Sequence, residues 1–213
     1  MAASCCDHGC SSSAPKPDAR YRRILWIALA INLAMFFVEI AASFVSGSVS
    51  LRADALDFLG DAANYALALT VFGMALRWRA SAALLKGGVM GAFGLWVAAS
   101  TVYHAVHATV PQAEIMGVIG FVALAANFTV AALLHRYRQS DSQALSVWLC
   151  TRNDVLVNIA VIVAGAGVWA SGTPWPDIAV AAVIGYLGLS SAVRITRQAF
   201  HEIGAAHAPA PAE

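Results

Sequence analysis

The stretch from residue 24 to residue 47 carries a single charged side chain, Glu39. A bilayer's hydrocarbon core is about 30 Å thick and takes about 20 helical residues to cross. A run of this length and polarity is made for that environment. Five further apolar segments follow, at 51–76, 81–108, 114–135, 144–171 and 175–198. In lipid the backbone must satisfy its own hydrogen bonds, so only helices and closed barrels span. Barrel strands would alternate in polarity over about ten residues, whereas these runs are continuous and rich in Ala and Leu. The sequence predicts an all-α membrane protein, a bundle of six transmembrane helices.

Composition narrows the partners. Of the 213 residues only 12% are charged, and the formal net charge is +1. No basic patch suits nucleic acid. The four cysteines, Cys5, Cys6, Cys10 and Cys150, do not form a disulfide framework. Residues 1–20 are polar, with no apolar core of a signal peptide, and read as a flexible cytoplasmic tail. Residues 21–200 form the membrane domain. Residues 201–213, Ala- and Pro-rich at their end, read as a disordered tail.

Charge at the connections sets the orientation. Arg20, Arg22 and Arg23 precede the first segment. Arg77, Arg79 and Lys86 lie at the second connection, Arg136 and Arg138 at the fourth, and Arg194 and Arg197 near the chain's end. The third connection, around Pro111, and the fifth, Ser171 to Trp175, have no Lys or Arg. Only Arg52 breaks the alternation. By the positive-inside rule both termini are cytoplasmic, which needs an even number of spans.

The second segment contains Asp54, Asp57 and Asp61, spaced i, i+3, i+7, which places them near one helical face. Asp57 and Asp61 are neighbours one turn apart. A central Asp costs about 2.5 kcal/mol or more on insertion scales, and a pair of carboxylates also repels. Such a pair needs a cation, a proton or a water-filled cavity. Asp54 fits a second reading, as a residue at the start of the helix where the dipole favours negative charge. In the fifth segment Cys150 and Asp154 are again four apart, with Asn158 one turn further on. If this face meets the Asp57/Asp61 face, three carboxylates and a sulfur converge, a donor set suited to tetrahedral Zn(II). Sulfur disfavours Mg(II) and Ca(II), which prefer oxygen shells. Cys150 alone would read as a small buried hydrophobe.

Other polar residues remain open. Arg152 either pairs with an acid such as Asp54 or faces a vestibule. Glu39 either lines the cavity or snorkels outward. His104 and His107 read as interfacial polar residues, with weak external metal binding the alternative. Cys5, Cys6, His8 and Cys10 cluster soft ligands in the tail, where a loading or sensing site or a chance low-complexity tract are both compatible.

These residues resemble the cation diffusion facilitator family of metal/proton antiporters. The run Ser46-Gly47-Ser48-Val49-Ser50-Leu51-Arg52-Ala53-Asp54-Ala55 is similar to that family's lead into its second helix. The family then places His or Asp, three residues, and Asp; here Asp57 and Asp61. In its fifth helix it has His, three residues, and Asp; here Cys150 and Asp154. Trp175-Pro176-Asp177 resembles the start of its sixth helix. The resemblance covers roughly residues 24–198. It implies a divalent metal carrier with Zn(II) or another of Cd, Co and Ni as cargo, exported in exchange for protons, and no bound cofactor; the compact size and the absence of a targeting segment point to a bacterial inner membrane. Two departures stand out. Cys150 occupies the usual His position. The residues after Arg197 are too few for the ferredoxin-like cytoplasmic domain most members carry, so a short form is expected, with any homodimer made through the membrane helices. No constellation for an enzyme, an open metal position plus a general base, stands out. A proton-coupled carrier of another substrate and a membrane metal sensor remain as rivals.

Overall fold

The computed structural model describes residues 19–70, 76–107, 109–136 and 142–206. The described residues form six helices: α1 (Ala19–Ser46), α2 (Val49–Thr70), α3 (Leu76–His107), α4 (Ala113–His135), α5 (Ser142–Ser171) and α6 (Trp175–Ala206). The all-helical expectation holds, and all six segments are recovered. α6 runs on to Ala206, past the limit at residue 200 expected for the membrane domain. Its last turns hold themselves together through an i, i+4 bond from Gln198 Nε2 to Glu202 Oε1 at 3.0 Å. The Cys/His cluster of the tail, Cys5, Cys6, His8 and Cys10, lies outside the described residues.

Five of these helices are long and apolar enough to cross a membrane. α2 falls short of that standard because Arg52, Asp54, Asp57 and Asp61 all lie in it. It is instead enclosed by its neighbours: from Val49 to Leu56 every residue is buried. α1 packs along α2, α4 along α5, and α3 along α6, with α2 also touching α3, α5 and α6. The polarity of the bundle is reversed relative to a water-soluble domain. Phe37, Phe44, Phe121, Trp169 and Tyr186 point outward, while Glu39, Asn32, Asp54 and Asn158 are buried inside.

Two glycines close helices. Gly47, with φ +73°, donates its N–H to Ser43 O at 3.0 Å and ends α1. Gly172, with φ +64°, does the same for α5 through Val168 O at 2.8 Å. A left-handed backbone after a helix is where glycine avoids the Cβ penalty. Small residues also set the α3–α6 spacing. A Cβ on Gly87 would stand 2.5 Å from Thr196 Oγ1 and 3.3 Å from its backbone nitrogen. Close approach through small residues drives helix association where lipid offers no hydrophobic contrast.

The tight turn after α1 leads into the start of α2, and the cap there comes from far along the chain. Asp177, in the first turn of α6, accepts hydrogen bonds from Ser48 Oγ at 2.7 Å, Val49 N at 2.8 Å and Ser50 N at 3.0 Å. One carboxylate thus satisfies the donors that a helix N-terminus leaves open.

Candidate functional site

α2 and α5 run past each other with their acidic faces together. Asp154 of α5 comes within hydrogen-bonding reach of both Asp57 and Asp61 of α2. The two helices thus bring Asp57, Asp61 and Asp154 near one another. Among the described residues, no three His, Cys, Asp or Glu side chains stand close enough to hold one ion together. Asp61 is drawn partly aside by its own helix, with Tyr65 Oη donating to its Oδ2 at 3.4 Å and Asn64 bonding to it as well. Asp154 keeps one buried oxygen, Oδ2, without a donor. Facing carboxyls repel unless a proton or a metal cation stands between them. Residue 150 lies in α5 one turn before Asp154; the side chain of Cys150, the fourth expected ligand, lies outside the described residues, as does that of Arg152.

Asp54 and Asn158, the two lesser candidates for the same site, are engaged with each other. Asn158 Nδ2 donates to both carboxylate oxygens of Asp54 at 3.1 Å. Asn127 of α4 donates from Nδ2 to Asn158 Oδ1 at 3.3 Å. On its other side Asp54 meets the carboxyl of Glu39 from α1. Neither Glu39 oxygen receives a hydrogen from a protein donor. These four residues link α1, α2, α5 and α4 in one buried polar chain. The reading of Asp54 as a residue of the helix start does not describe its surroundings, because Asp177 does that capping and Asp54 is wholly buried. Glu39 turns inward and does not snorkel. Asn127 was not anticipated, although a lone amide in an apolar span is itself a signal of interhelical bonding.

Other polar residues sit where α2 starts and α3 ends. Arg52 faces two aromatic rings, its guanidinium carbon 5.0 Å from the centroids of both Phe44 of α1 and Trp96 of α3. Those two rings are themselves neighbours, with centroids 5.9 Å apart, so the guanidinium makes cation–π contact with a pair of adjacent rings, which accounts for the arginine that broke the charge alternation. His104 and His107 each place Nδ1 on the carbonyl four residues back, Ser100 and Tyr103, at 2.8 Å. Tyr103 stacks on His107 with centroids 4.0 Å apart. The described contacts of both histidines are local to α3.

The family model for the cation efflux transmembrane domain matches residues 25–203. One curated relative, named zinc transporter ZitB, from Yersinia pestis, is 27% identical over 199 residues, which is 87% of this chain and 64% of that protein. A second with the same name, from Yersinia pseudotuberculosis serotype I (strain IP32953), is 26% identical over the same shares of both chains. The chain thus spans 64% of the length of these curated relatives. The helices apolar enough to span a bilayer make it an integral membrane protein, and with the match across nearly all of the described bundle the chain belongs to the cation efflux, or cation diffusion facilitator, family.

Proposed function

We propose that the chain carries a divalent transition-metal cation, most suitably Zn(II), out of the cytoplasm across a bacterial inner membrane in exchange for protons, and that it is a carrier and not an enzyme. The observation that supports this reading is the meeting of Asp57 and Asp61 of α2 with Asp154 of α5 inside the bundle. The names of the two relatives point the same way. The metal is cargo, and no resident cofactor is part of the scheme.

In this scheme metal entering from the cytoplasm takes the place of protons on the acids and on the Cys150 thiol, since ligands must lose their protons to bind metal. The site then opens outward and protons compete the metal away. Carboxyls that interact this closely titrate as a coupled set, not one by one, which suits exchange of protons for a divalent ion. A thiolate among the oxygen donors biases the set toward softer metals.

The test is flux in proteoliposomes. Asp61→Ala should abolish Zn(II)-driven proton movement, and flux like that of the unaltered protein would sink the assignment. Cys150→His alongside, across Zn, Cd, Co and Ni, should shift the order of preference if Cys150 binds the metal. A carrier of some other substrate would show proton movement with no dependence on metal and would tolerate Cys150→Ser.

A further inference from the structure

Lys86 was counted among the positive charges of the second connection, but its side chain does other work. It lies beyond Ala80, where the apolar span of α3 begins, and it is buried. A lysine serving topology alone would extend its chain to the interface. This one turns toward α2, and its Nζ donates to Asn64 Oδ1. Asn64 in turn bonds Asp61, and Asp61 feels the Lys86 charge. The contacts therefore form a line from α3 to the acids: Lys86, Asn64, Asp61. Burying an ammonium in a low dielectric is costly, so a lysine held at this place, beside the Asn64–Asp61 contact, needs a reason.

We propose that Lys86 is a positioning residue for metal transport, a tethered cation that acts through Asn64 on Asp61 and keeps the site's hold on a divalent ion weak. This inference rests on the reading of Asp57, Asp61 and Asp154 as the metal-binding acids. Facing carboxylates in a buried site attract a divalent cation strongly, and a carrier that binds too tightly does not release. Passage requires binding favourable enough to enter and weak enough to leave. A fixed positive charge one side chain away repels the ion and competes for the same carboxylate. At an effective dielectric of about 20, that interaction is large enough to alter affinity about tenfold. Asn64 supplies the geometry: its oxygen anchors the ammonium, and its amide reaches Asp61.

The test is initial-rate Zn(II) flux in proteoliposomes of the full chain, with KM and maximal rate read separately. Lys86→Gln keeps a donor for Asn64 Oδ1 and removes the charge. It should lower KM about tenfold and lower the maximal rate with it, because the ion leaves more slowly. Lys86→Arg keeps the charge and should restore both values to within about threefold. A merely structural lysine would instead lose maximal rate at unchanged KM. An unchanged or raised KM in Lys86→Gln, with Asp61→Ala inactive, overturns this proposal and leaves the metal site standing. Flux in Asp61→Ala like that of the unaltered protein overturns the site and this proposal with it. If Lys86→Gln does not fold, Lys86→Met is read in its place and carries the same expected fall in KM.

Discussion

Asp177 Oδ2 accepts the backbone N–H of Val49 at 2.8 Å, so the first turn of α6 closes the N-terminus of α2. With Ser48 and Ser50 on Oδ1, the same carboxylate holds three donors of the most polar helix in the bundle. Replacing a capping carboxylate costs about 0.5–2 kcal/mol in ordinary settings, and charged hydrogen bonds lie toward about 1.5–3 kcal/mol. Asp177→Ala should therefore destabilise the detergent-purified protein by about 2 kcal/mol, seen as a lower midpoint of thermal unfolding. A midpoint equal to that of the unaltered protein would show that the cap contributes nothing.

The buried chain of Glu39, Asp54, Asn158 and Asn127 predicts a separation between folding and metal binding. Asp54→Asn keeps the shape of the side chain and can still accept from Asn158. Zn(II) KM should stay within about threefold, since a residue outside the metal's donor set removes little binding energy. If Asp54 is a ligand after all, the same substitution would raise KM by orders of magnitude.

Glu39→Gln offers Asp54 an amide donor where a carboxyl now faces it. This variant should unfold at or above the temperature of the unaltered protein. Glu39→Ala leaves an unfilled space among polar groups and should cost about 2–4 kcal/mol. Equal stability of the two variants would mean that the Glu39–Asp54 contact has no energetic weight.

Adjacent glycines in α3 make a controlled pair. An added methyl on Gly87 would stand 2.5 Å from Thr196 Oγ1 and crowd the backbone at Thr196 N (3.3 Å) and Ala192 O (3.4 Å), while nothing lies within 4 Å of a Cβ on Gly88. Gly87→Ala should destabilise by about 1–3 kcal/mol through overpacking. Gly88→Ala should be neutral or stabilising by up to about 1 kcal/mol. Thermal unfolding of the two proteins side by side decides this, and equal midpoints would contradict the close α3–α6 contact.

Much of the architecture was legible because lipid simplifies the code. Segment lengths, the charge alternation from Arg20 to Arg197 and the four-residue spacings of Asp57/Asp61 and Cys150/Asp154 need no knowledge of neighbours. Periodicity says which face of a helix a residue occupies but not which helix that face meets. Asp177 therefore read only as the start of the last segment, although its partners are more than a hundred residues earlier in the chain. For the same reason Lys86 read as a topological charge, and Asp54 and Asn158 looked like additions to one donor set when they bond each other. Arg52 stands as an exception in the sequence because the adjacent rings of Phe44 and Trp96 that its guanidinium meets come from two other helices.

The dependence of α2 on its surroundings has a consequence for biogenesis. A segment bearing Arg52, Asp54, Asp57 and Asp61 is one that the insertion machinery would not release into lipid on its own hydropathy. Its stay in the membrane relies on partners already present, α1 first, and its start is not sealed until α6 has been synthesised and delivers Asp177. A nascent chain stopped short of residue 175 should accordingly hold α2 loosely. In that form Cys substitutions at Ala53 or Ala62, both buried in the finished bundle, should become open to a water-soluble thiol reagent and close again only when the last helix is made.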